Sequence, residues 1–272
     1  MRKLATYHSF VFISLTLFIT SCGAFDYSPH DLVIDQDETN LIAKGIKEIE
    51  DKALDDDTIK FIFTGDTQMA FDEVEKFVRR ANTIGNIDFT LICGDLTQFG
   101  LKKEFVWMHN QLKKLNHPYI PVIGNHDFVA TGPQIFKKMY GPFDYSFKVG
   151  KFKFVAINTN SIEFGFDGTV PNISWLEDEL SDTSGIENIY VYSHIMPWDE
   201  GFDPNLELPF ANALSKSKVK YSFHGHWHNY YVSNPYGEDV TYIVTGSTGR
   251  NSCILIKLWN NGKSTSYEQI FF

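Results

Sequence analysis

The stretch "IKFIFTGD", Ile59 to Asp66, carries the pattern from which the fold can be predicted. A short apolar and aromatic run that ends in Gly-Asp is typical of a buried β-strand followed by a turn. The next residues, Phe71 to Asn82, have apolar side chains at helical spacing. One strand and one helix therefore stand in direct succession, with a carboxylate where the strand ends.

The same order of elements returns along the chain. "DFTLICGD", Asp88 to Asp95, is a second apolar run that ends in Gly-Asp, and a helical pattern covers residues 101–115. A third strand lies in "PYIPVIGNHD", Pro118 to Asp127. Strands that alternate with helices predict an α/β sheet of parallel strands joined by right-handed crossovers.

The second half of the chain contains more strands than helices. Residues 143–160 alternate in polarity and predict a hairpin. Further strands are predicted in "NIYVYSHIMP" (188–197), in "KVKYSFHGHWH" (218–228) and in the tail from residue 241. We expect these strands to form a second sheet that packs on the first within one domain, residues 40–272.

Polar residues stand at the ends of five predicted strands, where functional sites of α/β sheets form. An isolated His-x-His such as "HWH" is more often structural, but the whole set mixes imidazole, amide and carboxylate ligands that suit Mn, Fe or Zn. The set exceeds what one tetrahedral ion needs, so two ions that share a carboxylate are predicted. The strand-end residues are Asp66, Asp95, Asn125, His126, Asp127, His194, His226 and His228.

The ordered motifs "GDTQ", "GDLTQ", "GNHD", "SH" and "GHWH", within residues 59–250, resemble those of the calcineurin-like metallophosphoesterase superfamily. The resemblance implies a four-layer αββα sandwich with two mixed β-sheets. It also implies two divalent metal ions and hydrolysis of a phosphate mono- or diester by a metal-activated hydroxide. A small phosphorylated molecule is the substrate class that this chemistry implies.

The resemblance also assigns a role to each motif residue. Asp95 would bridge both ions, and His126 would be the general acid for the leaving oxygen, oriented by Asp127. The remaining ligands would divide between the two ions, with Asp66 and His228 at the first metal and Asn125, His194 and His226 at the second.

Two residues depart from the usual motifs of the superfamily. Gln68 stands where a histidine ligand of the first metal is common, and Gln98 stands where the second motif commonly has Asp. Because an amide offers a metal only a neutral oxygen, we expect the first site to bind its ion more weakly and to favour Mn.

Two further features bear on activity. Arg250, in the Gly-rich segment "TGSTGR", is a candidate for binding the substrate phosphate, although an ordinary glycine turn explains the segment equally well. The competing function is a non-catalytic, surface-anchored binding lipoprotein with an impaired metal site. The presence of His126 and Asp127 argues against it, because a purely structural site does not need them.

The remaining histidines and cysteines are predicted to have no role in catalysis. His224 is expected to support a ligand or to belong to the core, and His109 and His117 are expected on the surface or in loops. Cys93 and Cys253 are predicted to be structural, since nothing in their spacing indicates a disulfide framework.

The N-terminus predicts a leader sequence. Two basic residues precede the short apolar run Phe10 to Ile19, which resembles a signal peptide. The following "ITSC" resembles a bacterial lipobox, so residues 1–21 are predicted to be removed and Cys22 to be lipidated. Residues 22–39 would then tether the domain to a membrane of the cell envelope, outside the cytoplasm. An ordinary secreted protein or a chance cysteine is the alternative.

The net charge of −10 argues against a nucleic-acid-binding surface, because such surfaces depend on Lys and Arg to neutralise phosphates. The sequence leaves the oligomeric state, the metal identity and the choice between mono- and diesters open.

Overall fold

The computed structural model describes residue 28 and residues 31–52, 58–237, 239–260 and 263–272. The elements given below belong to one unit of the chain, Leu32–Phe272. The predicted leader and Cys22 lie outside the described residues and remain predictions, as do the tether and the domain boundary at residue 40. Among the helices within these ranges, none combines the length and hydrophobicity needed to cross a membrane.

The first sheet has five strands in the order β11-β10-β1-β2-β3. Its central strands β1, β2 and β3 are parallel, as the sequence predicts. β10 pairs antiparallel with β1, and β11 pairs antiparallel with β10. The strands are β1 (Ile59–Thr64), β2 (Phe89–Cys93), β3 (Tyr119–Val122), β10 (Ser252–Trp259) and β11 (Ser264–Phe271).

The second sheet has six strands in the order β4-β5-β6-β7-β9-β8. β4 and β5 form the predicted antiparallel hairpin, β5, β6, β7 and β9 run parallel, and β8 is antiparallel to β9. The strands are β4 (Tyr145–Val149), β5 (Phe152–Ala156), β6 (Asn188–Tyr192), β7 (Val219–His224), β8 (Tyr231–Ser233) and β9 (Thr241–Val244).

The end of the tail departs from the prediction, because β10 and β11 join the first sheet rather than the second. Ile254, Ile256 and Leu258 of β10 are buried, and the strand pairs with β1 from Ile59 to Phe63. The hairpin therefore covers an edge of β1 that would otherwise leave backbone hydrogen-bonding groups unpaired.

Helices cover the outer face of each sheet and complete the four-layer αββα sandwich. Alternating side chains of β5 show the layering: Phe154 joins the core that contains the first sheet, whereas Val155 joins a separate core with Leu176 and Leu214 of two outer helices. The helices are α1 (Leu41–Asp51), α2 (Phe71–Thr83), α3 (Lys102–Leu112), α4 (Gly132–Met139), α5 (Ile173–Ser181) and α6 (Glu207–Ser215).

Aromatic side chains fill the space between the two sheets. Phe154 packs edge-on against Phe61 at 5.5 Å and against Phe89 at 5.2 Å between ring centroids, and Phe223 lies 5.0 Å from Phe63. Burying one such side chain contributes roughly 1.5–3 kcal/mol. The strands are thus held on a well-packed centre, and the loops at their carboxyl ends are fixed relative to one another.

Candidate metal centre

The loops after β1, β2, β3, β6 and β7 bring the predicted strand-end residues together. Asp95, His194 and His226 place one potential ligand atom each within 4.8 Å of one another, and Asp66, Asp95 and His228 do the same. Asp95 belongs to both groups, which we call the His194 cluster and the His228 cluster. A carboxylate common to two such clusters has the placement of a bridging ligand.

The backbone at these positions has conformations that L-residues seldom adopt. Asp66, Asp95, His226 and His228 all have positive φ, at 53°, 54°, 71° and 56°. Left-handed backbone outside glycine is uncommon and concentrates at functional sites. The motif glycine Gly124 is required for a different reason, since a Cβ there would overlap the Asp95 carboxylate.

His194 is fully buried and held on both sides of its ring. Its Nδ1 donates a hydrogen bond to the Cys93 carbonyl at 2.6 Å, which leaves Nε2 facing Asp95 Oδ2 at 3.3 Å. Burial opposes protonation of this imidazole, but Asp95, Asp66 and the Cys93 carbonyl outweigh it and raise the pKa of His194 to about 9. The His194 cluster therefore attracts a cation, whether that is a proton or a metal ion.

Two further polar atoms face the same nitrogen of His194. Asn125 Oδ1 lies 2.9 Å from His194 Nε2, and His226 Nδ1 lies 3.3 Å from it. A neutral imidazole that donates through Nδ1 has only a lone pair on Nε2. An amide oxygen, a carboxylate oxygen and two imidazole nitrogens that converge in this way fit a divalent metal ion of the Mn, Fe or Zn class.

The His228 cluster is more open. His228 Nε2 lies 3.2 Å from Asp66 Oδ1, and the His228 side chain is 38% exposed, whereas that of Asp66 is buried. The hydrogen bond with Asp66 raises the pKa of His228 against the opposing effect of burial, and Asp95 adds to the rise. Asp66 also accepts the His226 N–H at 3.1 Å, which ties the loop after β7 to the loop after β1.

Gln68 lies beside the shared carboxylate. Its Nε2 is 3.5 Å from Asp95 Oδ2, and its Oε1 is buried without a hydrogen-bond partner among the described residues. A buried amide oxygen without a donor is costly, and a cation or a water held by one would satisfy it. The side chain that replaces the usual histidine therefore fits the edge of the predicted first metal site.

His126 borders the shared Asp95 but turns its ring elsewhere. Its backbone N–H donates to Asp95 Oδ1 at 3.0 Å, while Nδ1 lies 3.1 Å from Gln98 Nε2 and 3.2 Å from the Gln98 carbonyl oxygen. A ring protonated on Nε2 can accept at Nδ1 from the Gln98 amide, whereas a ring protonated on Nδ1 can donate to the Gln98 carbonyl. The first arrangement leaves a proton on Nε2, as the predicted general acid requires.

The carboxylate of Asp127 bonds to backbone N–H groups rather than to the His126 ring that it is predicted to orient. Asp127 is fully buried, and its carboxylate accepts the N–H groups of Leu96 at 3.2 Å, Thr97 at 2.8 Å and Gly124 at 3.0 Å. Burial and the neighbouring Asp95 raise the pKa of Asp127 in spite of these bonds. It joins the loops after β2 and β3 and thereby fixes the backbone at the site.

Gln98 takes the position next to the His126 ring that is predicted for Asp127. The available signal was its place in the second motif, where the superfamily commonly has a carboxylate.

Asp199 is a second polar residue that the sequence analysis missed. Asp199 Oδ1 lies 3.5 Å from Nε2 of His226, on the side of the ring opposite to the His194 cluster. Burial opposes its ionisation, but contacts with His226, Gly201 and Trp227 lower the pKa of Asp199 to about 2. Its only sequence signal was an acidic residue in the loop after the strand that ends at the predicted ligand His194.

Arg250 lies at the edge of the His228 cluster. It ends a short 3-10 helix, Thr248–Arg250, in which the Thr248 N–H donates to the Gly65 carbonyl at 3.0 Å. The guanidinium is hydrogen-bonded to Asn229, and its charge opposes protonation of His228. The segment is thus fixed beside the first motif, with an exposed cation close to the candidate ligands.

Other histidines are structural. His224 belongs to the core, between the hydroxyls of Ser193 at 3.0 Å and Ser222 at 2.9 Å, and burial lowers its pKa to about 3. His109 and His117, expected on the surface or in loops, are each only 8% exposed; His109 lies within α3, whereas His117 does lie in a loop, before β3. Their ring nitrogens pair with buried hydroxyls, which the sequence gives no means to foresee.

The two cysteines within the described residues are buried and free, as predicted. Burial raises the pKa of Cys253 to about 12 and that of Cys93 well above its usual range. Thiols of this kind are unreactive and pack as small apolar groups.

Sequence comparison agrees with this geometry. Residues 59–230 match the calcineurin-like phosphoesterase family, which covers all the candidate ligands. A relative from Xenorhabdus bovienii (strain SS-2004), described as a probable cyclic nucleotide phosphodiesterase, is 26% identical over 180 residues, 62% of this chain and 72% of the relative.

Solved structures agree on the fold. The chain is similar to GAP50, the anchor in the inner membrane complex of Plasmodium, with a TM-score of 0.57 and 15% identity over 79% of this chain and 84% of that one. It is also similar to TT1561 of Thermus thermophilus, with a TM-score of 0.55 and 13% identity over 78% of this chain and 98% of that one. With the matched motifs and the two candidate metal clusters, these similarities lead to one conclusion: the chain belongs to the calcineurin-like phosphoesterase family and is a hydrolase that acts on phosphate ester bonds.

Proposed function

We propose that this enzyme hydrolyses its phosphate ester with two divalent metal ions, one at each cluster. The observation that carries the proposal is the pair of ligand groups that share Asp95, Asp95–His194–His226 and Asp66–Asp95–His228. Asn125 would add an amide oxygen to the His194 cluster, and Gln68 would add one to the His228 cluster. When bound, two such ions polarise a phosphoryl group and make water a nucleophile near neutral pH.

The protein side chains would bind, orient and protonate the substrate. Asp95 would hold the two halves of the site at a fixed separation, and its bond from the His126 N–H keeps that loop against the site. His126 would donate the Nε2 proton to the oxygen that leaves the phosphorus, with Gln98 holding Nδ1. Arg250 would bind a non-bridging phosphate oxygen.

A phosphodiester is the substrate class that we expect. The support is the X. bovienii relative, which is described as a probable cyclic nucleotide phosphodiesterase.

The two clusters differ in the metal they would prefer. The His194 cluster offers two imidazoles, which suit Fe or Zn as well as Mn, whereas the His228 cluster offers one imidazole and several oxygens. Mn is therefore the expected ion at the His228 cluster.

The test is hydrolysis of bis-p-nitrophenyl phosphate and p-nitrophenyl phosphate by metal-free protein to which Mn is added. We expect Mn-dependent activity, greater on the diester, that is lost in Asp66→Asn and kept in Asp72→Asn, an exposed carboxylate six residues away. Metal binding without hydrolysis of either ester would favour the non-catalytic binding protein instead. Hydrolysis that does not respond to Mn, Fe or Zn would contradict the metal mechanism.

We further propose that Cys22 is lipidated and anchors the enzyme to the cell envelope, outside the cytoplasm. The support is the sequence "ITSC" after a short apolar run. Cys22→Ser should abolish incorporation of a fatty-acid label, and Cys253→Ser should retain it. A wild-type protein that takes up no label and fractionates with the cytosol would contradict the anchor.

A further inference from the structure

Asp199 contacts two residues of the "GHWH" motif at once. It lies in the loop after β6, five residues beyond His194, and its side chain is only 9% exposed. One carboxylate oxygen, Oδ2, accepts the indole N–H of Trp227 at 2.6 Å. The other, Oδ1, accepts the Gly201 N–H at 2.8 Å and lies 3.5 Å from Nε2 of His226.

This arrangement bears on which nitrogen of His226 is free to bind a metal. A carboxylate can only accept, so its contact favours the tautomer with the proton on Nε2. The lone pair is then on Nδ1, which lies 3.3 Å from His194 Nε2, inside the His194 cluster. His194 has the opposite arrangement, because the Cys93 carbonyl holds its Nδ1 proton at 2.6 Å. The two imidazoles thus enter one cluster through different nitrogens, each selected by the acceptor behind it.

Trp227 gives the same carboxylate a second role. It stands between two candidate ligands, His226 and His228, and its side chain remains 38% exposed beside them. Its ring lies 6.2 Å from Trp198 and 5.9 Å from Tyr231. A half-exposed indole that is fixed by a hydrogen bond can form a wall for an organic group of a substrate.

We propose that Asp199 is a positioning residue that holds His226 with Nδ1 toward the metal centre and holds Trp227 as an aromatic wall of the substrate site. This inference rests on the proposed metal-dependent function. Carboxylates behind ligand histidines fix the tautomer and ring orientation, and their loss typically lowers metal affinity by about 10–100-fold. The carboxylate couples the metal ligand to the contact surface for the substrate.

The first experiment compares Asp199→Ala and Asp199→Asn with wild type and with Glu200→Ala, a control that removes the neighbouring exposed carboxylate. In the metal-free protein, ¹⁵N chemical shifts of the His226 ring report its tautomer, with assignment by His226→Asn. We expect an Nε2-protonated ring in wild type and in Glu200→Ala, and a mixture of tautomers in Asp199→Ala. Titration with Zn or Mn should show affinity lowered about 10–100-fold in Asp199→Ala and less in Asp199→Asn, which retains an acceptor oxygen.

The second experiment separates the effect of Asp199 on Trp227, the proposed aromatic wall, from its effect on the metal ligand His226. Trp227→Phe removes the indole N–H and keeps an aromatic ring, so metal affinity should stay within about twofold while KM for bis-p-nitrophenyl phosphate rises. Wild-type metal affinity and tautomer in a folded Asp199→Ala would overturn the positioning role, and an unchanged KM in Trp227→Phe would overturn the wall. The tautomer is read without metal or substrate, so it stays informative if the protein proves to lack hydrolytic activity.

Discussion

His117 and His194 are both buried histidines, but His117 lies at the amino end of a strand and His194 at the carboxyl end of one, where the candidate site forms. His117 precedes β3 and pairs with the Thr90 hydroxyl at 2.8 Å; burial and the nearby charge of Lys52 lower its pKa to about 4. His194 follows β6, and the carboxylates beside it raise its pKa to about 9 against the same effect of burial. Burial therefore does not decide the role of the residue.

The charge of the neighbours separates the two cases. His109 repeats the pattern of His117, with burial and then Lys113 and Lys44 lowering its pKa to about 4, while its Nδ1 pairs with the Tyr119 hydroxyl at 2.6 Å. Where lysines surround a buried imidazole it stays neutral and serves as a hydrogen-bonding part of the core. Where carboxylates converge on it, as on His194, the position attracts a cation.

Removing the shared carboxylate should have the largest effect. Asp95→Asn takes one charge from both clusters, so we expect metal content to fall and activity to drop on the order of 10³-fold or more, since bound metal supplies several kcal/mol of transition-state stabilisation. Elemental analysis and bis-p-nitrophenyl phosphate hydrolysis measure this. Asp88→Asn, which removes the carboxylate that pairs with Lys52 near His117, is the matched control and should leave both unchanged. Two tightly bound ions in Asp95→Asn would break the comparison.

His126→Ala tests another residue at the carboxyl ends of the strands, one that is predicted not to bind metal. Loss of a general acid typically costs about 10²–10⁴ in rate, and the cost is greatest for poor leaving groups. We expect the larger loss on an alkyl ester, the smaller loss on a nitrophenyl ester, and unchanged metal content by elemental analysis. Equal losses on both esters would argue against proton donation by this ring.

Part of the acid sensitivity of folding should come from His117, which lies at the end of the strands away from the candidate site. A histidine with a pKa near 6.5 when unfolded and about 4 when folded stabilises the protein fully above pH 6.5, and this contribution is lost as the pH falls toward 4. For His117 the loss between pH 7 and pH 5 is about 2 kcal/mol. Denaturant unfolding at both pH values should therefore show a smaller decline in His117→Gln than in wild type. Metal content should stay the same, and an identical decline in both proteins would contradict the assignment.

The smallest expected effect concerns Gln68. Replacing its amide by imidazole in Gln68→His should tighten Mn binding at the His228 cluster by about tenfold and leave the His194 cluster unchanged. A Mn titration of metal-free protein resolves the two sites, with Gln111→His on α3 as a distant control. Equal affinities in wild type that Gln68→His does not alter would refute the difference between the clusters.

Much of this molecule follows from local sequence pattern. Hydrophobic periodicity and the Gly-containing turns predict the parallel strands β1, β2 and β3. The polar residue after each strand predicts which loops meet, because the carboxyl ends of parallel strands share one edge. The convergence of Asp66, Asp95, His194 and the "GHWH" histidines follows from that rule.

Other features depend on contacts that no local pattern records. β10 could have joined either sheet on its alternation alone, and its partner is decided by the open edge of β1. The motif assigns Asp127 to His126, yet the two side chains contact different groups, and the Asp127 carboxylate bonds to the loop after β2. Asp199 and Trp227 are 28 residues apart, and only the pairing of β6 with β7 brings them together.

The C-terminal hairpin has a practical consequence for fragment design. The matched family region ends at residue 230, but β10 pairs with β1 along Ile59 to Phe63, and the turn before β10 carries Arg250. A fragment that stops at residue 230 would leave the apolar strand β1 with a free edge, which can recruit strands from other molecules. Loss of solubility in such a fragment would therefore say nothing about the metal ligands, all of which it retains. Recombinant fragments intended for metal titration or crystallisation should extend through β11.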